Sequence, residues 1–292
     1  MRVSNQMMAD NVKLNLFRIT QQLVTYEEQI STGKRINRIS DDPTGIQQVL
    51  NYRQQLSSME QYSENITDAK MHIDTMDTIL ETVSALLNDA KEYAADPDPD
   101  LRTSFAEDVD AIRTQILQLA NSKSNGQYIF GGDLSGSPPF DSTTGAYNGD
   151  SGTKDYLIDD SQQFSITADG SEIFQGTNPD DVFTVLENLS TELSLGAAAD
   201  QDTINSYISQ IDDGIDQVTS VRAENAGRYT RLEATESHYE YFSLNVENLL
   251  SSVEDVDKAE AIIDFLVAQT AYTSTLEISA KIIQPSLIDF LS

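Results

Sequence analysis

Both ends of this 292-residue chain carry apolar stripes that step alternately by three and four, and the middle does not. Val12, Leu16, Ile19, Leu23, Tyr26 and Ile30 keep the rhythm at one end. Ile262, Leu266, Gln269, Thr273, Leu276, Ala280 and Ile283 keep it at the other. A seam that narrow suits a helix packed on another helix, not a helix lying on a globular core. The two ends are therefore expected to pair with each other or with neighbouring subunits, as an assembly protein requires.

The stretch between the ends divides by composition. Gly33 reads as the C-terminal cap of the first helix, and Asp42-Pro43 as the N-cap and first position of the next. A longer stripe then runs Val49, Tyr52, Leu56, Met59, Ser63, Ile66, Ala69, Ile73, Met76, Leu80, Val83, Leu87, Ala90. At 1.5 Å per residue this helix spans roughly 70 Å, beyond the usual globular range. Asp96-Pro97-Asp98-Pro99-Asp100 ends it, and Asp100 is expected to cap a third helix. Nine of the fourteen glycines fall between Gly126 and Gly176. Tyr128–Phe130, Asp155–Ile158, Gln163–Thr167 and Glu172–Phe174 read as strands, with Asn148-Gly149 and Asp169-Gly170 as hairpin turns. A short helix follows at 180–193, capped near Asn178 or Asp180, and one unbroken helix is expected from 204 to 284. The fold class is thus mainly α: an elongated helical bundle or coiled coil built from both chain ends, with a small β-rich insert. The expected division is 1–45 with 257–292 as terminal coiled-coil segments, 46–125 with 200–256 as a helical rod, and 126–199 as the insert.

Charge narrows the partners. The chain carries 48 acidic against 18 basic residues, a net charge of −30. Such an excess repels nucleic acid and anionic lipid, so neither is an expected partner. The surplus is uneven, because residues 1–53 hold seven basic and five acidic side chains and leave −32 for the remainder. There is no cysteine, so neither disulfides nor Cys-ligated metal contribute. No run approaches the roughly 20 apolar residues of a membrane span, and the first residues lack the apolar core of a cleaved leader.

Candidate chemistry is sparse. Asp96, Asp98, Asp100 and Glu107 match positions of a calcium loop, but Leu101 stands where the loop's sharp bend needs glycine. A capping turn is the better reading. Asp41 and Asp42 lack a neighbouring histidine or third acid. His72 and His238 fall just off the apolar stripes and read as surface residues. Lys34, Arg35 and Arg38 fit a basic contact patch or charges placed at a helix end equally well. With no cofactor fingerprint, nucleophile–base pair or metal-ligand set, no cofactor and no enzyme activity are expected.

Residues 30–43, Ile-Ser-Thr-Gly-Lys-Arg-Ile-Asn-Arg-Ile-Ser-Asp-Asp-Pro, resemble the N-terminal signature of the flagellin superfamily. Val246-Glu247-Asn248, then Asp255, Asp257 and Ala259, and Ser279 through Gln284, are similar to its C-terminal helix. The likeness covers about 1–132 and 200–292. Asp41-Asp42-Pro43, the Tyr128–Asp133 block and the ending Leu287–Leu291 look more like the superfamily's hook–filament junction members than its filament-forming flagellins; a short flagellin is the alternative. Pro285 departs from the helix such chains continue there. The resemblance implies a structural part of the bacterial flagellum, exported without a cleaved leader and located outside the cell at the hook–filament junction. It implies as partners further copies of the chain, the first hook-associated junction protein, flagellin and an export chaperone. Assembly would be carried by the terminal stripes (Val12, Leu16, Ile19, Leu23, Tyr26, Ile30, Ile262, Leu266, Leu276, Ala280, Ile283), with Asn37, Asp41, Asp42 and Pro43 forming the signature turn.

Overall fold

The computed structural model describes residues 5–96, 98–124, 126–160, 163–167, 169–175 and 181–283. Its elements in order are α1 (Asn5–Thr32), α2 (Pro43–Ala95), α3 (Arg102–Ala120), β1 (Lys123–Ser124), β2 (Gln127–Tyr128), β3 (Thr153–Leu157), β4 (Gln163–Thr167), α4 (Gly170–Phe174), α5 (Val182–Ser194), α6 (Gln201–Glu254) and α7 (Lys258–Ile283). A 3₁₀ turn, Gly196–Ala198, joins α5 to α6. The fold is mainly α, with two small antiparallel sheets, β1–β2 and β3–β4, in the middle. Two compact units emerge: residues 1–59 with 241–292, and residues 60–240.

In the terminal unit α1 packs on α7. Gly33 ends α1 with φ +74°, the left-handed cap that a side chain would strain. α2 starts where expected: Asp42 Oδ1 accepts from the N–H groups of Thr44 (3.2 Å) and Gly45 (2.9 Å), and Pro43 takes the first turn.

In the middle unit α2 and α6 run antiparallel, as their ion pairs show: Lys70–Glu236 at 2.7 Å, Asp77–Arg222 at 2.8 Å and Lys91–Asp212 at 2.5 Å. Between them the α2 stripe from Ile66 to Ala90 is buried with Val109, Ile112 and Ile116 of α3, Leu186, Leu189 and Leu193 of α5, and Ile204, Ile211, Val218 and Leu232 of α6. Asn225 is buried within this stripe, donating to Met76 Sδ (3.1 Å) and accepting from Arg228 (3.2 Å). The insert has an aromatic centre in which Phe140 meets Phe174 and Phe183 edge-on, each at 5.3 Å between centroids. Arg113 ties it to α3 and α5 by donating to Phe183 O (3.2 Å), Thr143 O (3.0 Å) and Glu187 (2.8 Å).

Several local expectations are corrected. Residues 172–174 form part of helix α4, not a strand, because Asp169 acts as its N-cap and accepts from Ser171 N–H. Asp169-Gly170 is therefore a helix start instead of a hairpin turn; a Cβ on Gly170 would lie 2.8 Å from Phe130 O and from the Phe140 ring. β2 stops at Tyr128, and Ile129 and Phe130 leave the ladder to fill the core. Asp100 does not cap α3, whose N-cap Leu101 has no side-chain bond; Asp98 N–H and Asp100 N–H bond to Asp96 and Asp98 carboxylates within the turn. Asp181 caps α5 through Thr184 N–H (2.6 Å), and Asn178 and Asp180 lie outside the described residues. The expected unbroken helix 204–284 is two helices, broken at Asp255–Asp257. His72 is buried, not on the surface, because the α3–β1–β2 connection covers it, whereas His238 is exposed.

Candidate functional site

The break between α6 and α7 sits against the turn between α1 and α2. Lys34 pairs with Asp255 in an isolated antiparallel bridge, Arg35 N–H donates to Glu254 O (2.7 Å), and Val256 N–H donates to Gly33 O (3.0 Å). The break thus exchanges helical hydrogen bonds for sheet-like ones. Asp257 restarts the chain as a helix by accepting from Ala259 N–H (2.9 Å) and Glu260 N–H (3.3 Å). Asp257-Lys258-Ala259-Glu260 is close to a capping-box spacing, which is the signal that periodicity alone passes over.

Glu254 is the hub of this junction. It is 4% exposed. Its carboxylate pairs with Lys34 Nζ at 2.8 Å and with Arg53 Nη2. Arg35 Nη2 adds a bond to Val253 O (2.8 Å) and approaches Asp42 at 3.6 Å. Arg38 pairs with Glu28 at 3.0 Å. The basic residues after α1 are therefore internal struts, each with an assigned anion or carbonyl.

The signature residues form one knot. Asp41 Oδ2 accepts from Asn37 N–H (3.1 Å) and Arg38 N–H (2.8 Å), while Asn37 Nδ2 donates to Lys34 O (3.0 Å). Asp42 caps α2 beside it; the Gly45 N–H bond above all holds its carboxyl below the usual carboxylate range, opposed by desolvation and aided more weakly by the Thr44 N–H and the nearby Arg35 charge. A Cβ on Gly45 would stand 2.5 Å from Asp42 Oδ2 and 2.6 Å from Ile36 Cδ1, so a side chain there would push the ends of both side chains aside.

The terminal stripes separate. Val12, Leu16, Ile19, Leu23, Tyr26 and Ile30 are all half-buried along α1. On α7 the covered positions are Ala261, Phe265, Ala268, Tyr272, Thr275 and Ser279, again stepping four and three. This seam lies one residue before the stripe read from the sequence. Ile262 (45% exposed), Leu266 (52%), Leu276 (43%) and Ala280 point outward, and the side chain of Ile283 lies outside the described residues. The reason is size: Ala261, Ala268 and Ser279 permit close approach to α1, while bulkier residues make up the rest of the circumference. Ile263, Val267 and Ile278 widen the outward apolar face, and a shallow groove is lined by Ile263, Leu266, Val267 and Thr270. α1 also exposes Met7, Leu14, Phe17 and Val24. This helical pair is therefore apolar on both its inner and outer sides.

Known proteins resemble this chain in sequence and in fold. The bacterial flagellin N-terminal helical region matches residues 3–134. Flagellar hook-associated protein 3 of Escherichia coli (strain K12) is 29% identical over 296 aligned residues, which cover 93% of each chain. A flagellar hook-associated protein from Vibrio parahaemolyticus superposes with a TM-score of 0.67 at 19% identity, covering 74% of this chain and all of that one. The flagellar junction protein of Legionella pneumophila superposes at 0.58 with 16% identity, covering 73% and 100%. Flagellins match at lower identity and coverage. The chain is thus similar to flagellar hook-associated protein 3 over nearly its whole length, and to the flagellin N-terminal helical region over residues 3–134.

Proposed function

We propose that this chain forms the layer that joins the flagellar hook to the filament, outside the cell, and that it does so without catalysis. The outward apolar face of α7 carries this reading. Six large side chains (Ile262, Ile263, Leu266, Val267, Leu276, Ile278) are each 43–64% exposed on one helix. Covering their exposed halves contributes about 5–9 kcal/mol at the usual 1.5–3 kcal/mol for a whole side chain. Association costs about 4–15 kcal/mol. One such face therefore roughly breaks even, and stable docking needs several neighbours at once, which a closed layer supplies and a dimer does not. The partners are further copies of the chain within the layer, the first hook-associated junction protein on one side and flagellin on the other. Residues 1–45 with 257–292 make the axial contacts, 46–125 with 200–256 support them, and the acidic insert 126–199 faces solvent. The chain reaches this place through the flagellar type III export route, accompanied by an export chaperone.

Electron microscopy of a strain lacking the protein tests the reading: hooks without filaments are expected, and normal filaments would overturn it. Seeding purified protein onto filament fragments separates a junction layer from a short flagellin. A bounded cap is expected, whereas growth into long fibres would assign the chain to the filament itself.

A further inference from the structure

The middle unit contains a polar cavity of about 170 Å³ where α2, the β1–β2 hairpin with the loop that follows it, and β3 come together. His72, Ser124, Tyr128, Asp133, Ser135 and Lys154 carry its chemistry. His72 is 8% exposed, and its buried Nε2 has no hydrogen-bond partner among the described residues. An orphaned buried polar atom beside a cavity is a reason to look for the group that completes it. The cavity also holds one cation and one anion. The Lys154 ammonium lies 5.5 Å from the Tyr156 ring centroid, and no carboxylate pairs with it among the described residues. Asp133 is exposed, and its backbone N–H donates to Asp150 Oδ1 (2.7 Å).

The lining decides the class of ligand. Metal ions are disfavoured, since among the described residues no three His, Cys, Asp or Glu side chains gather. A free anion would face Asp133 and a unit whose residues 60–240 carry 35 acidic against nine basic side chains. A simple cation would face Lys154. A molecule with both charges, and no net charge, satisfies both walls. Size agrees: an apolar cavity of about 150 Å³ holds benzene, so about six or seven heavy atoms fit here. We propose that this cavity binds a small zwitterion of the α-amino-acid type, its carboxylate at Lys154 and the serine hydroxyls and its ammonium at Asp133. Such a ligand sits on the covered side chain of His72 and offers its Nε2 a partner.

The test uses the full chain and L-alanine as the probe. The ring ¹H–¹⁵N signals of His72 are followed during titration, with acetate and methylamine as single-charge controls at matched ionic strength. Saturable movement with a dissociation constant on the order of 1–10 mM is expected for a ligand of this size. Lys154→Gln and Asp133→Asn alter exposed side chains and should leave the circular dichroism unchanged. Each should weaken alanine binding about tenfold, the scale of one lost charge contact. No saturable shift with alanine would overturn the proposal. So would acetate alone or methylamine alone reproducing the alanine response, or both variants binding like the parent.

Discussion

Glu254 provides a sharp test of how the terminal unit is held, because its environment is lopsided. The carboxylate side chain is 5% exposed, whereas Lys34 is 40% and Arg53 48% exposed. A hydrogen bond to a charged group contributes about 1.5–3 kcal/mol when buried, and partners half in water recover much of that by hydration. Replacing Glu254 with Gln frees two cations that can turn outward, and it keeps an acceptor oxygen. The expected cost is about 1–2 kcal/mol. Replacing both Lys34 and Arg53 with Met instead leaves a buried carboxylate uncompensated, a situation that costs about 3–5 kcal/mol. The prediction is therefore an ordering: removing the two exposed residues hurts more than removing the buried one. The local readout is amide exchange at Arg35 and Val256, whose N–H groups bond to Glu254 O and Gly33 O across the junction. Slower exchange in Lys34→Met/Arg53→Met than in Glu254→Gln would refute the claim that burial of the carboxylate sets the energetics.

Other consequences follow from the same structure. Burial, and secondarily the Lys154 charge, push the His72 imidazole down to about 4 from 6.5, so the folded state favours the neutral ring. Its contribution is complete above the unfolded pKa and is lost as pH falls from about 6.5 to 4, amounting to about 3 kcal/mol. Urea melts between pH 7 and 4 should show that loss, and His72→Gln should flatten the profile. Asp257→Ala removes the cap of α7 and should cost about 1 kcal/mol, read as faster exchange at Ala259 and Glu260 while the middle unit is unchanged. Gly45→Ala should destabilise the α1–α2 turn by about 1–3 kcal/mol, since the new methyl overlaps both Asp42 and Ile36; a neutral effect in thermal melts would contradict the close approach. The surplus of acid on residues 60–240 predicts a melting temperature that rises from low to high salt, as screening relieves self-repulsion. A flat response would show that the charges are spaced widely enough not to interact.

Which features were legible in the sequence depends on whether local chemistry or a distant contact decides them. The long helices, the Gly33 stop and the Asp42-Pro43 start follow from local rules of periodicity and capping, and they stand where those rules put them. The α6–α7 break does not, because apolar periodicity runs straight through Val253 and Val256. What stops the helix is a carbonyl-for-carbonyl trade with residues 33–36, more than two hundred positions away. The burial of His72 is hidden for the same reason: on its own helix it lies beside the stripe, and the chain after α3 covers it. The α7 seam shows a third limit. The bulkiest repeating residues on α7 are Ile262, Leu266 and Leu276, but two helices in close contact select small residues, here Ala261, Ala268 and Ser279. The stripe read from the sequence is the outward one, which leaves a neighbouring subunit as its expected partner. A helix whose best hydrophobic stripe is not the one it turns toward its own partner still has that stripe uncovered. The substitution Leu266→Asp should therefore leave the folded monomer intact while blocking assembly, whereas Ala268→Asp should disrupt the α1–α7 pair itself. Circular dichroism with analytical centrifugation distinguishes the two, and equal loss of α1–α7 structure in both would show that the outward face is not kept for a neighbour.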